Sequence, residues 1–144
     1  MKRNEDRENR EALARRVEAV VRQVIAELPP DLRVLAERIP VRCEWKIAGH
    51  WIVEGVAEDA MGLFSGPALN EPMDPACLES PRITLFLAEL WDYSGADAAT
   101  FDEEVRITYI HEFGHYLGLD EDEHEVNMRV GIIQARGLAG RGRA

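Results

Sequence analysis

The sequence predicts a single α+β domain, with an N-terminal helix and a second, later helix packed against a small mixed sheet of about three to five strands. Three observations carry this. Apolar residues recur at helical spacing from Leu13 to Leu28, the period switches to strand-like between Val41 and Leu87, and a helix start signal with helical spacing returns from Thr100 onward. At 144 residues, with 46% hydrophobic and 31% charged side chains, the chain has the length and balance of one ordinary globular core. The domain is read as residues 1–136, with the Gly- and Arg-rich 137–144 as a flexible tail.

The first helix rests on Leu13, Val17, Val20, Val21, Val24, Ile25 and Leu28, interspersed with Arg and Glu, and the pair Pro29-Pro30 stops it. Leu32, Leu35 and Ile39 predict a second, shorter helix with Asp31 near its start and Pro40 closing it. From Val41 to Ile47 apolar side chains fall on alternate residues, the pattern of a strand with one buried face, and Trp51 and Val53 are read as its continuation or return. Gly62-Leu63-Phe64-Ser65-Gly66 is a short strand or irregular edge between turn-permitting glycines. Pro67 to Pro81 holds four of the seven prolines and reads as a long surface loop. The run Ile83-Thr84-Leu85-Phe86-Leu87 is the candidate central strand, and Trp91 to Ala99 is rich in turn formers.

Charge and composition narrow the function classes. Seventeen basic against twenty-seven acidic side chains give a net charge of −10, which disfavours nucleic acid as a partner. No segment approaches the roughly 20 apolar residues of a membrane span, so no membrane partner is expected. The charged start MKRNEDRENRE is followed by no apolar secretory core, and a cytoplasmic location is expected. Cys43 and Cys77 are too far apart for a zinc ribbon or a CxxC motif, and read as partly buried free thiols.

Thr100-Phe101-Asp102-Glu103 matches a capping box, so a helix is expected over 101–117. Ile107, Ile110, Gly114 and Leu117 share one face of it, and Thr108, His111 and His115 share another. His111 and His115, one turn apart, can converge on one ion, while Glu112 stands about 100° around the helix as a base beside it. Two histidines leave zinc short of the three protein ligands of a catalytic site. Gly118 is suited to the left-handed turn that ends a helix, and the acidic run Asp120-Glu121-Asp122-Glu123 follows. Glu121 is the expected third ligand, with Asp122 or Asp120 as substitutes if the turn differs. From this chain's own composition, HExxH arises by chance in about one such chain in a hundred, and with Gly118 and the acid at 121 in about one in five thousand.

The segment His111-Glu112-Phe113-Gly114-His115-Tyr116-Leu117-Gly118-Leu119-Asp120-Glu121 resembles the HExxHxxGxx(acidic) motif of zincin-like metallopeptidases, and more closely the small bacterial group called minimal zincins. The resemblance extends upstream to Gly62–Gly66, where that group has a Gly-Leu-aromatic turn, and to Pro81–Phe86, where it has a Pro-x-x-Ile-x-Leu strand. In all it covers roughly residues 30 to 126. It implies a zincin-like fold and a third ligand that is acidic where metzincins place a histidine. Met128 lies too close to Glu121 to stand for the methionine turn of metzincins and is assigned to the core or a helix face. His124 and His50 are read as ordinary exposed histidines.

The expected activity is zinc-dependent hydrolysis of peptide bonds with one Zn2+ ion per chain, held by His111, His115 and Glu121, and a peptide or unfolded protein as substrate. Zinc would lower the pKa of its water to about 7 and polarise the scissile carbonyl, with Glu112 as the general base. Tyr109 and Tyr116 are weighed as oxyanion partners, and neither is assigned. A substrate could add itself to an exposed sheet edge, for which residues 62–66 are the candidate. The alternative is a non-catalytic zinc-binding or peptide-binding protein that retains the motif, and retention of Glu112, which is no ligand, favours catalysis.

Overall fold

A computed structural model describes residues 2–71 and 79–119. The elements run α1 (Lys2–Glu27), α2 (Pro30–Glu37), β1 (Val41–Glu44), α3 (Gly49–Val53), β2 (Gly62–Ser65), β3 (Arg82–Phe86), α4 (Leu87–Tyr93) and α5 (Ala98–Tyr116). The three strands form one mixed sheet in the order β1-β3-β2, within the expected α+β class. The central strand β3 runs parallel to β1, with Val41 opposite Ile83, and antiparallel to β2, with Gly62 opposite Leu85. Four of its five residues are buried, as expected of a strand flanked on both sides.

α5 packs on β2 and β3 and also on α1. Val17, Val21, Val24 and Leu28 from the α1 side meet Phe101, Val105, Tyr109, Phe113 and Tyr116 of α5, together with Ile83 and Leu85 of β3, in one core. α1 begins well before its apolar stripe, because Asp6 and Arg10, Arg7 and Glu11, and Glu11 and Arg15 alternate in sign at i,i+4 spacing and support an exposed helical start. Arg10 also lies over the Trp45 ring, 4.4 Å from its centroid.

Four expectations are corrected. β1 stops at Glu44 instead of reaching Ile47. Trp51 and Val53 belong to the short helix α3, since three consecutive large apolar residues give no alternation and Val53 is left 88% exposed. β3 ends at Phe86, and Leu87-Ala88-Glu89-Leu90, strong helix formers all, open α4, so Trp91 is helical and the turn shrinks to residues 94–97. The cap of α5 is Asp97 and not Thr100: its carboxylate accepts from Thr100 N at 2.9 Å and from Thr100 Oγ1 at 2.7 Å, and these bonds hold its pKa below the ordinary value. A motif of acceptor, two small residues and a hydroxyl competes here with the capping box three residues later, and wins because Ala98 and Ala99 extend the helix backwards.

Candidate metal centre

α5 carries the chemistry because its two faces differ. Phe101, Val105, Tyr109 and Phe113 recur every fourth residue and are fully buried, which locks the helix azimuth. Ile110 and Gly114 are buried as expected, whereas Ile107 and Leu117 are only partly so. With the azimuth set, Thr108 and Glu112 fall on the side toward Gly62 of β2, and His111 and His115 share that arc of the helix. His111 and His115 are half-buried and Glu112 is 8% exposed.

The two imidazole Nε2 atoms lie 3.2 Å apart, with the rings at 90° to each other. Two nitrogens bound to one tetrahedral zinc at about 2.0–2.1 Å would be separated by about 3.3 Å, so the pair is already spaced for a shared ion. One ligand atom from each of His111, Glu112 and His115 can be chosen so that all lie within 4.8 Å of one another, and among the described residues this is the group that could hold a metal. Imidazole nitrogen and carboxylate oxygen are donors that zinc accepts. Glu121, with its substitutes Asp120 and Asp122, lies outside the described residues, as do Cys77, His124, Met128 and the 137–144 tail.

Helix α5 ends as the sequence requires. Gly118 adopts φ +78°, its N–H donates to His115 O at 3.0 Å, and Leu119 N–H donates to Gly114 O at 3.2 Å. These are the paired bonds of a Schellman cap, which needs a left-handed residue and therefore favours glycine. A long-range bond invisible in the sequence completes it: Leu69 N–H, from the loop after β2, donates to Tyr116 O at 2.8 Å.

Residues 51–128 match the sequence profile of the zincin-like metallopeptidases, which is more than half of the chain. The chain belongs to the zincin-like metallopeptidase family. No curated protein matches it. In this zincin-like domain the matched stretch contains the end of α3, the strands β2 and β3, α4 and the whole of α5, so the profile and the geometry point to the same helix. Among the described residues no helix is long and apolar enough to cross a membrane.

Other candidates take structural places. His50 is exposed on α3, its ring contacts Trp51 at 4.7 Å between centroids, and it is not part of the His-Glu-His group. Cys43 is a half-buried free thiol whose pKa is pushed up to about 11, first by burial and then by Glu18. Tyr116 is buried, edge-on to Phe64. Tyr109 lies in the core, stacked parallel to Phe113, and its hydroxyl has no hydrogen-bond partner among the described residues, which removes it from any oxyanion role.

Burial drives the Tyr109 pKa well above 10. Its native state therefore favours the neutral phenol: the associated stability is complete below about pH 10, where the unfolded phenol is also neutral, and falls as pH rises toward the folded value. Tyr109→Phe should leave the melting temperature at pH 7 unchanged or raise it, since an unpartnered buried hydroxyl costs about 1–3 kcal/mol, and should flatten the decline above pH 10. Thermal unfolding from pH 7 to 11 checks both. A drop of several degrees at pH 7 would contradict the unpartnered hydroxyl.

Sequence reasoning missed Arg106, which is buried in α5 and donates through both terminal nitrogens to Glu27 Oε2 at 3.2 and 3.1 Å. It reads as an ordinary surface arginine because its partner is 79 residues away. The weak signal available was its place one residue after Val105 and three before Tyr109, beside the core stripe.

Proposed function

We propose that this chain is a zinc-dependent peptidase in which His111, His115 and Glu121 hold one zinc ion and Glu112 acts as general base. The observation that carries the reading is the 3.2 Å spacing of the two Nε2 atoms with the Glu112 carboxylate beside them on the same helical turn. When bound, zinc supplies a Lewis acid that polarises the peptide carbonyl and acidifies the attacking water. Glu112, buried and anchored on a capped helix, accepts the proton from that water and delivers it to the leaving amine. The half-buried His111 and His115 would hold the ion beside the Glu112 carboxylate.

The substrate of this reading is a peptide or an unfolded protein segment, laid along β2. Phe86 N–H donates to Met61 O at 2.9 Å, so Met61 is a hydrogen-bonded partner of β3. By antiparallel alternation the backbone groups of Gly62 and Phe64 then face away from β3, and can accept an added strand next to Glu112. Main-chain pairing of this kind asks for extended backbone and little particular sequence.

Metal content by plasma mass spectrometry, without added metal, tests the centre. The wild type should carry about one zinc per chain, and His111→Ala, His115→Ala and Glu121→Ala should each lose it, given the affinity that three ligands contribute together. A wild type that neither contains nor binds zinc on titration overturns the proposal. Full zinc occupancy in Glu121→Ala would move the third ligand to Asp120 or Asp122. Zinc without any turnover that depends on Glu112, across a broad peptide library, would instead identify a metal-holding binding protein.

A further inference from the structure

β2 meets α5 at a point where a side chain has no room. A Cβ built on Gly62 would stand 2.6 Å from Thr108 Cγ2, 3.2 Å from Leu85 Cδ2 and 3.3 Å from Glu112 Cγ. Gly62 has no positive φ, unlike Gly66 at +95°, so the position requires the absence of a side chain and not the conformational freedom of a turn, which corrects the expectation drawn from the glycine-flanked segment. Two residues along the same face of β2, Phe64 fills the wider gap against Tyr116, with 5.9 Å between ring centroids. The strand is thus closest to the helix at the turn that carries Glu112.

We propose that Gly62 is a positioning residue for Glu112: the bare β2 backbone seats on Thr108 and on the stem of Glu112 and so decides where the carboxylate stands relative to His111 and His115. This rests on the reading of Glu112 as the proton acceptor. A glutamate side chain has three rotatable bonds, and a strand backbone so close that a Cβ would stand 3.3 Å from Cγ leaves no room for the rotamers directed at β2. Those that remain direct the carboxylate away from the strand, compatible with its place within 4.8 Å of the imidazole nitrogens. Thr108, one turn earlier, shares the seat and is 7% exposed. The histidines make none of the three contacts at Gly62, so metal affinity and proton transfer should separate when the seat is altered.

The test uses the full chain in three forms: wild type, Gly62→Ala and Gly62→Ala/Thr108→Ser. Serine lacks Cγ2, so the double variant relieves the tightest overlap and keeps the 3.3 Å contact on Glu112. Gly62→Ala should keep zinc affinity within about threefold and KM within about threefold, while kcat falls roughly 10- to 100-fold, the scale expected of a misplacement of about 1 Å. Its melting temperature should drop by several degrees and recover in the double variant, while kcat stays at least about tenfold down. A readout independent of metal and turnover is the carboxyl resonance of Glu112 in protein carrying 13C at the glutamate δ position, assigned by its disappearance in Glu112→Gln. It should move further than any other glutamate resonance in both variants.

An unmoved resonance overturns the proposal whether or not the protein is a peptidase. So does a kcat that returns together with the melting temperature in the double variant, because Gly62 would then act only through general packing. If Gly62→Ala does not fold, the double variant alone decides, by the same resonance and kcat. Absence of any Glu112-dependent turnover in the wild type would overturn the peptidase reading alone, and the resonance would still decide the role of Gly62.

Discussion

Glu112→Gln should retain zinc at wild-type stoichiometry and lose about 10²- to 10⁴-fold in kcat, the range that a positioned general acid–base contributes. Glutamine keeps the volume and the rotamers of the buried side chain, so the seat under Gly62 and the imidazole pair are preserved. What it lacks is an oxygen that can take a proton. Because the loss acts on proton transfer and not on substrate binding, KM should change little. Steady-state kinetics beside metal analysis separates the outcomes. Loss of zinc together with turnover would make Glu112 a ligand, and turnover within twofold of wild type would remove it from the mechanism.

Glu27→Ala should destabilise the fold by about 2–3 kcal/mol, by leaving the Arg106 guanidinium buried without its carboxylate. That is below the roughly 3–5 kcal/mol typical of breaking a fully buried pair, because the Glu27 side chain is 23% exposed and water screens part of the interaction. Arg106 is 9% exposed and cannot swing free without leaving the α1–α5 interface. Replacing both partners, in Glu27→Leu/Arg106→Met, should recover most of the loss, since no uncompensated charge then remains. Urea unfolding of the two variants measures this. Equal destabilisation in both would show that the charge itself is not what Glu27 neutralises. The same pair ties the helix of the His-Glu-His group to α1, so a weakened pair should also lower the temperature at which that group loses its geometry.

The legible parts of this protein were those governed by local rules. The stripe from Val17 to Leu28, the stop at Pro29-Pro30, the central strand as far as Phe86 and the left-handed Gly118 each follow from spacing or backbone chemistry within a few residues, and each stands where expected. The errors fell where two local signals compete. Trp51-Ile52-Val53 reads equally as strand or helix until its neighbours decide, and Leu87 belongs by composition to the run before it and by structure to α4. At the start of α5, two capping patterns overlap, and the one that adds another turn prevails.

By itself the sequence determined that one helix carries two histidines a turn apart with a glutamate between them, that this helix ends at a glycine, and that the chain is zincin-like. One turn of α-helix makes those relations unavoidable, because a 3.6-residue period converts spacing directly into direction. The tertiary structure alone decided what that helix faces and how tightly it is held. Arg106 finds Glu27, Leu69 N–H closes the end of α5, and Gly62 faces Thr108 and Glu112 where no Cβ would fit, relations between residues 79, 47 and 50 positions apart. No local period encodes such contacts: they arise only when burial of the shared core brings distant segments into register, and close packing then leaves each of those positions room for one kind of residue.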